Sequence, residues 1–204
     1  MKNLLRITDL NKKQINSLLF RAREFKNGKK STALKNIIIA SLFFEPSTRT
    51  RLSFETAILK LEGKIIGFSD STNTSLSKGE SLEDTITVIS QFADLIIMRH
   101  PQPHSVENAS NFINKPIINA GDGDNEHPTQ TLVDLFAILE TQKKLSNLNI
   151  ALVGDLKFGR VPHSLVKALQ LYKNNIYLIS PKSLKMPKKL ESLNPHAPLG
   201  HHEG

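Results

Sequence analysis

Five segments of the chain carry side chains whose types and spacing could do chemistry. In Phe43-Phe44-Glu45-Pro46-Ser47-Thr48-Arg49-Thr50-Arg51-Leu52-Ser53-Phe54-Glu55 an apolar run leads into hydroxyls and arginines that open a helix. Free backbone N–H groups at a helix start, their partial positive charge and nearby hydroxyls together make a cradle for an anion. Arg49 adds a bidentate cationic partner, which suits phosphate. A plain serine cap with exposed arginines is the alternative, and the hydroxyls on both sides of Arg49 weigh against it.

The other four segments follow a similar plan. Ser75-Leu76-Ser77-Lys78-Gly79-Glu80-Ser81-Leu82-Glu83-Asp84-Thr85 is a polar loop with one Lys ahead of a helix, weak by itself. Met98-Arg99-His100-Pro101 places Arg99 directly after an apolar strand, where ligands of α/β sheets gather. In Asn119-Ala120-Gly121-Asp122-Gly123-Asp124-Asn125-Glu126-His127-Pro128-Thr129-Gln130-Thr131, His127 and Gln130 are one helical turn apart and face the same way. A neutral histidine there can donate to a carbonyl oxygen, and Gln130 can bind an amide. A metal at His127 would need Asp122, Asp124 and Glu126 as further ligands, and the expectation is no metal. Gly154-Asp155-Leu156-Lys157-Phe158-Gly159-Arg160-Val161-Pro162-His163-Ser164 has the glycine spacing of a phosphate loop. It lacks Gly-Lys-Ser/Thr, so a nucleotide site is not expected, but Arg160 at a helix start fits a carboxylate. His163 and the tail histidines read as bystanders.

These loops need elements to hold them, and the apolar periodicity supplies a regular alternation. Asn11 can cap a helix with Ile15, Leu18, Leu19, Ala22 and Phe25 at 3–4 spacing, ended by Gly28. Ile37–Phe44 is a strand covered on both faces, followed by a helix from Ser47 to near Gly63 and a strand over Lys64–Phe68. Helices are expected at Glu80–Phe92, Ser105–Phe112, His127–Glu140 and Val161–Tyr172. Strands are expected at Leu95–Met98, Pro116–Asn119, Ile150–Val153 and Ile176–Ile179. The fold class is therefore α/β, a parallel sheet flanked by helices, with an incomplete second α/β domain. The break is placed near Gln142–Asn147, giving domains of 1–140 and 141–204. Two strands and one helix cannot bury both faces of the second sheet. The residues after Ser180 carry four prolines and no periodicity, and read as irregular.

Composition removes several function classes. The chain has 204 residues and no cysteine, which excludes disulfides, thiolate catalysis and Cys-ligated zinc. No apolar run approaches the ~18–20 residues of a membrane span, and residues 1–6 hold no signal-peptide core. The net charge of +8 invites a nucleic-acid reading. Residues 1–35 hold ten Lys/Arg and two acids, while the rest holds 17 of each sign. The basicity is local and reads as one solvated helix face, so neither nucleic acid nor membrane is an expected partner.

Loops that each offer an anion or amide binder, without a nucleophile–base pair, suit transfer between two anionic small molecules by positioning and electrostatics. The motif Ser47-Thr48-Arg49-Thr50-Arg51 resembles the carbamoyl-phosphate loop of the transcarbamoylases. His127-Pro128-Thr129-Gln130 and Gly154–Arg160 look like the aspartate members; ornithine members usually have Cys in place of Thr129. The resemblance covers about residues 5–190 and implies carbamoyl transfer from carbamoyl phosphate to L-aspartate in cytoplasmic pyrimidine synthesis, with no cofactor. It implies that Ser47, Thr48, Arg49 and Thr50 hold the phosphate. Arg99, His127 and Thr50 would polarise the carbamoyl oxygen, Gln130 would bind its amide, and Arg160 a carboxylate of aspartate. Ser75 and Lys78 would reach a neighbouring subunit's site, so a homotrimer is implied, with or without regulatory chains. Arg49, Thr50, Lys78, Arg99 and His127 form the catalytic set. Family chains run roughly half as long again, so this chain reads as an N-terminal portion. Alternatives are a chain that only binds carbamoyl phosphate, and ornithine carbamoyl transfer.

Overall fold

The computed structural model describes residues 3–70 and 75–192. By packing, the chain divides into two compact units, one of residues 1–5 and 23–123, the other of 6–22 and 124–204.

The first unit is built on a four-stranded parallel sheet. Its strands are β1 (Ile38–Phe43), β2 (Lys64–Phe68), β3 (Leu95–His100) and β4 (Ile117–Asp122). They lie in the order β2-β1-β3-β4. Alternation along β1 feeds two cores. Ile39 and Phe43 point to one face, where they meet Ile58 and Phe54 of α2 (Thr48–Lys60). Ala40, Leu42 and Phe44 point to the other. There they pack with Ile86 of α3 (Leu82–Ser90) and with Val106 and Ala109 of α4 (Ser105–Ser110). A central strand buried on both sides must be apolar throughout, which is why Ile37–Phe44 reads as a continuous run. Beside β1, Gly67 lies opposite Ser41, at φ +129°, where an added Cβ would come within 2.2 Å of the Ser41 carbonyl oxygen. Only glycine allows that approach.

β3 and β4 run on past the expected Met98 and Asn119, because backbone pairing continues beyond the apolar side chains. Arg99 is thus inside β3, paired in register with Phe43, and does not follow the strand.

The second unit contains the N-terminal part of α1 (Lys12–Lys26), α5 (Pro128–Gln142), β5 (Asn149–Val153), α6 (Arg160–Leu169), β6 (Asn175–Ile179) and the short α7 (Lys188–Glu191). Its core joins Ile7, Ile15, Leu19, Leu135, Val166, Leu169, Tyr172 and Ile176. The apolar face of α5 packs into this core. α1 starts with a reciprocal cap: the Gln14 N–H donates to Asn11 Oδ1 and the Asn11 N–H to Gln14 Oε1.

β5 and β6 form a parallel pair. Ile150, Leu152, Ile176 and Leu178 face the core, while Val153 is 70% exposed and Tyr177 and Ile179 are 38% exposed. Within the segment expected to be irregular, Lys182–Leu184 forms a 3-10 turn and α7 a short helix; residues 193–204, with the tail histidines, lie outside the described residues.

Candidate active site

In the first sheet β1 has its successor β2 on one side and β3, which leads on to β4, on the other, so the strand order switches direction between the carboxyl ends of β1 and β3. That is where open α/β sheets take ligands. The Ser47–Thr50 segment follows β1 into α2, and Arg99 lies at the end of β3. Ser47 is the N-cap of α2, in extended conformation, and its side chain makes no capping hydrogen bond. No acidic residue occupies the first turn. The helix start therefore keeps its positive end uncompensated by a local carboxylate. Thr48 and Arg49 are exposed there.

Arg99 is held from two sides. Its Nε donates to Glu45 Oε1 at 2.6 Å and its Nη1 to Thr50 Oγ1 at 3.3 Å. The guanidinium is thereby aimed at the start of α2, next to the hydroxyl of Thr50. Glu45 is the residue that sequence reasoning leaves out: it stands in the quoted motif, but nothing in spacing says that it reaches a strand 54 residues away. Beside it, burial holds the His100 imidazole below its ordinary pKa, opposed by the nearby charges of Glu45 and Asp122. Lys78 ends a 3-10 turn, Ser75–Lys78, and is exposed; the side chain of Ser75 lies outside the described residues.

The second unit carries His127, Gln130 and Arg160. His127 is the N-cap of α5, 5% exposed, with Pro128 in the first turn. Its Nδ1 accepts from the Gln130 N–H at 3.4 Å, so a neutral ring carries its proton on Nε2. Gln130 Nε2 donates to Asp134 Oδ1 at 2.9 Å, which turns its Oε1 the other way, free of that bond. Burial raises the Asp134 pKa, with the Gln130 hydrogen bond pulling against it. Arg160 is the first residue of α6, after a turn in which Asp155 Oδ1 accepts from the N–H groups of Lys157 and Phe158.

Two of the carboxylates considered as metal ligands have other partners. Asp122 accepts from Asn119 Nδ2 and the His104 N–H, and Glu126 from Ser164 Oγ and Lys167 Nζ. Among the described residues no group of three or more His, Asp or Glu is disposed to hold a metal. His163, read as a bystander, is buried and joins two loops: Nδ1 lies 2.9 Å from the Asp124 carbonyl and Nε2 2.9 Å from that of Leu156.

Residues 2–140 match the model of a known family, aspartate/ornithine carbamoyltransferase, carbamoyl-P binding domain. The chain belongs to that family. The aspartate carbamoyltransferase catalytic subunit of Buchnera aphidicola subsp. Schizaphis graminum is 56% identical over 195 residues, which span 94% of this chain and 63% of that protein. Among solved structures, the catalytic subunit of M. jannaschii aspartate transcarbamoylase superposes with a TM-score of 0.86 at 47% identity. It is covered to 65%, and this chain to 95%. Aspartate transcarbamoylase from Trypanosoma cruzi, in complex with carbamoyl phosphate and aspartate, gives 0.88 at 35% identity, over 94% of this chain and 66% of that one. The chain thus spans about two thirds of the length of the relatives it matches. Among its described residues no helix is long and apolar enough to cross a membrane.

Proposed function

We propose that the chain takes part in carbamoyl transfer from carbamoyl phosphate to the amine of L-aspartate, giving N-carbamoyl-L-aspartate and phosphate in cytoplasmic pyrimidine synthesis. One observation carries the reading: at the switch point of the parallel sheet, Arg99 is fixed by Glu45 and Thr50 beside an uncapped helix start that bears Thr48 and Arg49. Ser47, Thr48, Arg49 and Thr50 take the phosphate, whose charge the helix start and Arg49 balance. Arg99, Thr50 and the Nε2–H of His127 polarise the carbamoyl oxygen, and Gln130 Oε1 accepts from the carbamoyl amide. Arg160 binds a carboxylate of aspartate. The amine attacks the carbonyl carbon, the C–O bond to phosphate breaks, phosphate leaves with the electron pair, and the amine loses a proton. Stabilising the oxygen as charge develops on it is the main contribution of such residues. Lys78, with Ser75, serves the site of a neighbouring copy in a homotrimer. The solved relative bound to carbamoyl phosphate and aspartate supports this choice of substrates.

The test is calorimetric titration with carbamoyl phosphate, followed by assay of carbamoyl-aspartate. Saturable binding and product with aspartate are expected; failure to bind carbamoyl phosphate overturns the reading, and citrulline from ornithine overturns the choice of acceptor. A second reading is binding without turnover. It is favoured by the two-stranded second sheet, whose Val153 is 70% exposed. Binding without product selects it. Sedimentation of the chain at micromolar concentration tests the trimer.

A further inference from the structure

Three side chains of α6 close on the short segment that leads into α5. The His127 N–H donates to Ser164 Oγ at 3.0 Å. Ser164 Oγ in turn donates to Glu126 Oε2 at 2.6 Å, and Lys167 Nζ donates to Glu126 Oε1. Ser164 is fully buried, the Glu126 side chain is 1% exposed, and Lys167 retains 20% exposure. His163, from the same helix, reaches the Asp124 carbonyl.

A carboxylate buried this far costs solvation energy, and an apolar pair would pack as well or better. What an anion supplies instead is direction. An ionised Glu126 has no proton, so the Ser164 hydroxyl must donate to it. That leaves the serine lone pairs to accept from the His127 N–H. Ser164 thus holds the His127 backbone N–H, while the ring Nδ1 accepts from the Gln130 N–H, which in a neutral ring puts the proton on Nε2. Lys167 neutralises the carboxylate from the solvent side. Residues 160, 164 and 167 recur at i, i+4 and i+7, so the helix face that holds His127 also begins with Arg160.

We propose that Glu126, Ser164 and Lys167 are positioning residues that set the orientation and tautomer of His127 and tie it mechanically to Arg160. The catalytic meaning of this rests on the reading of His127 as the donor to the carbamoyl oxygen. The tautomer itself does not, and the two are tested apart. In protein labelled with 15N-histidine, the ring nitrogen shifts report which nitrogen of His127 carries the proton, with a His127→Asn variant for assignment. The wild type is expected to show the Nε2–H form. Ser164→Ala should convert it to a mixture and weaken carbamoyl phosphate at least tenfold. Glu126→Gln, which keeps an acceptor for Ser164 but frees its direction, should weaken binding several-fold. The neutral pair Glu126→Gln/Lys167→Gln should restore it to within about threefold. Thr141→Ala, on the exposed part of α5, should change neither readout.

The proposal is overturned if wild-type His127 carries its proton on Nδ1. It is also overturned if Ser164→Ala and Glu126→Gln leave tautomer and affinity within twofold, as Thr141→Ala does. If Ser164→Ala does not fold, the Glu126→Gln single and the double variant carry the same comparison. A wild-type chain that shows the Nε2–H tautomer but no affinity for carbamoyl phosphate removes the functional reading and leaves the positioning role intact.

Discussion

Arg49 is exposed in the first turn of α2, so its cationic head is available to a ligand and its loss leaves no buried gap. Arg49→Ala should weaken carbamoyl phosphate about 10–100-fold, the range of one lost charge-assisted contact, while thermal stability moves by less than about 0.5 kcal/mol. Calorimetry and a melting curve on the same sample check both. Asp134 makes the opposite kind of prediction. Burial raises its folded pKa above the unfolded value, so the stability it contributes is complete at low pH and is lost as pH rises through that pKa. Asp134→Asn keeps an acceptor for Gln130 Nε2 and removes the titration. It should melt above the wild type at pH 7 and match it near pH 3. The motif residues at this scale are legible because hydroxyls, arginines and a His-x-x-Gln pair at helix starts have few other uses. Their supports are not: Glu45, Ser164 and Lys167 act across 54, 37 and 41 residues, which no local pattern encodes.

At the scale of elements, period and caps carry most of the information. Asn11 is visible as a cap from its residue type, and α1 begins directly after it, while its reciprocal partner Gln14 emerges only in the fold. Asn11→Ala should cost about 1 kcal/mol, measurable as a shift in the urea midpoint at unchanged slope. β2 spans Lys64–Phe68 as its apolar residues indicate. β3 and β4 are longer than they read because Arg99, His100 and Asp122 are polar side chains on paired backbone. That misreading has a physical basis. A strand end at a ligand crevice must carry polar groups, so hydropathy stops where the functional part of the strand begins.

For the whole molecule, alternation of strand and helix is enough for the α/β class, and the count of two strands after residue 141 is enough to expect an open face. Ala151, Val153, Tyr177 and Ile179 line that face. Exposed apolar sheet surface of this kind binds hydrophobic dyes and promotes association. Val153→Thr with Ile179→Lys should lower dye fluorescence and reduce aggregation on heating, leaving carbamoyl phosphate affinity unchanged. What periodicity does not show is which helices share a core. The apolar stripes of α1, α5 and α6 look alike in sequence, and only packing places Ile15, Leu135 and Val166 together.

The tie between Tyr172 and Asn16, 2.8 Å across a separation of 156 residues, has a consequence for synthesis. α1 leaves a ribosome well before Val166, Leu169 and Tyr172, the side chains that share a core with Ile15 and Leu19, have been made. At ~5–20 residues per second the helix waits roughly 8–30 s for them, long after every strand of the first sheet has emerged. During that interval its apolar stripe is a target for chaperones, and its many lysines and arginines keep the waiting segment in solution.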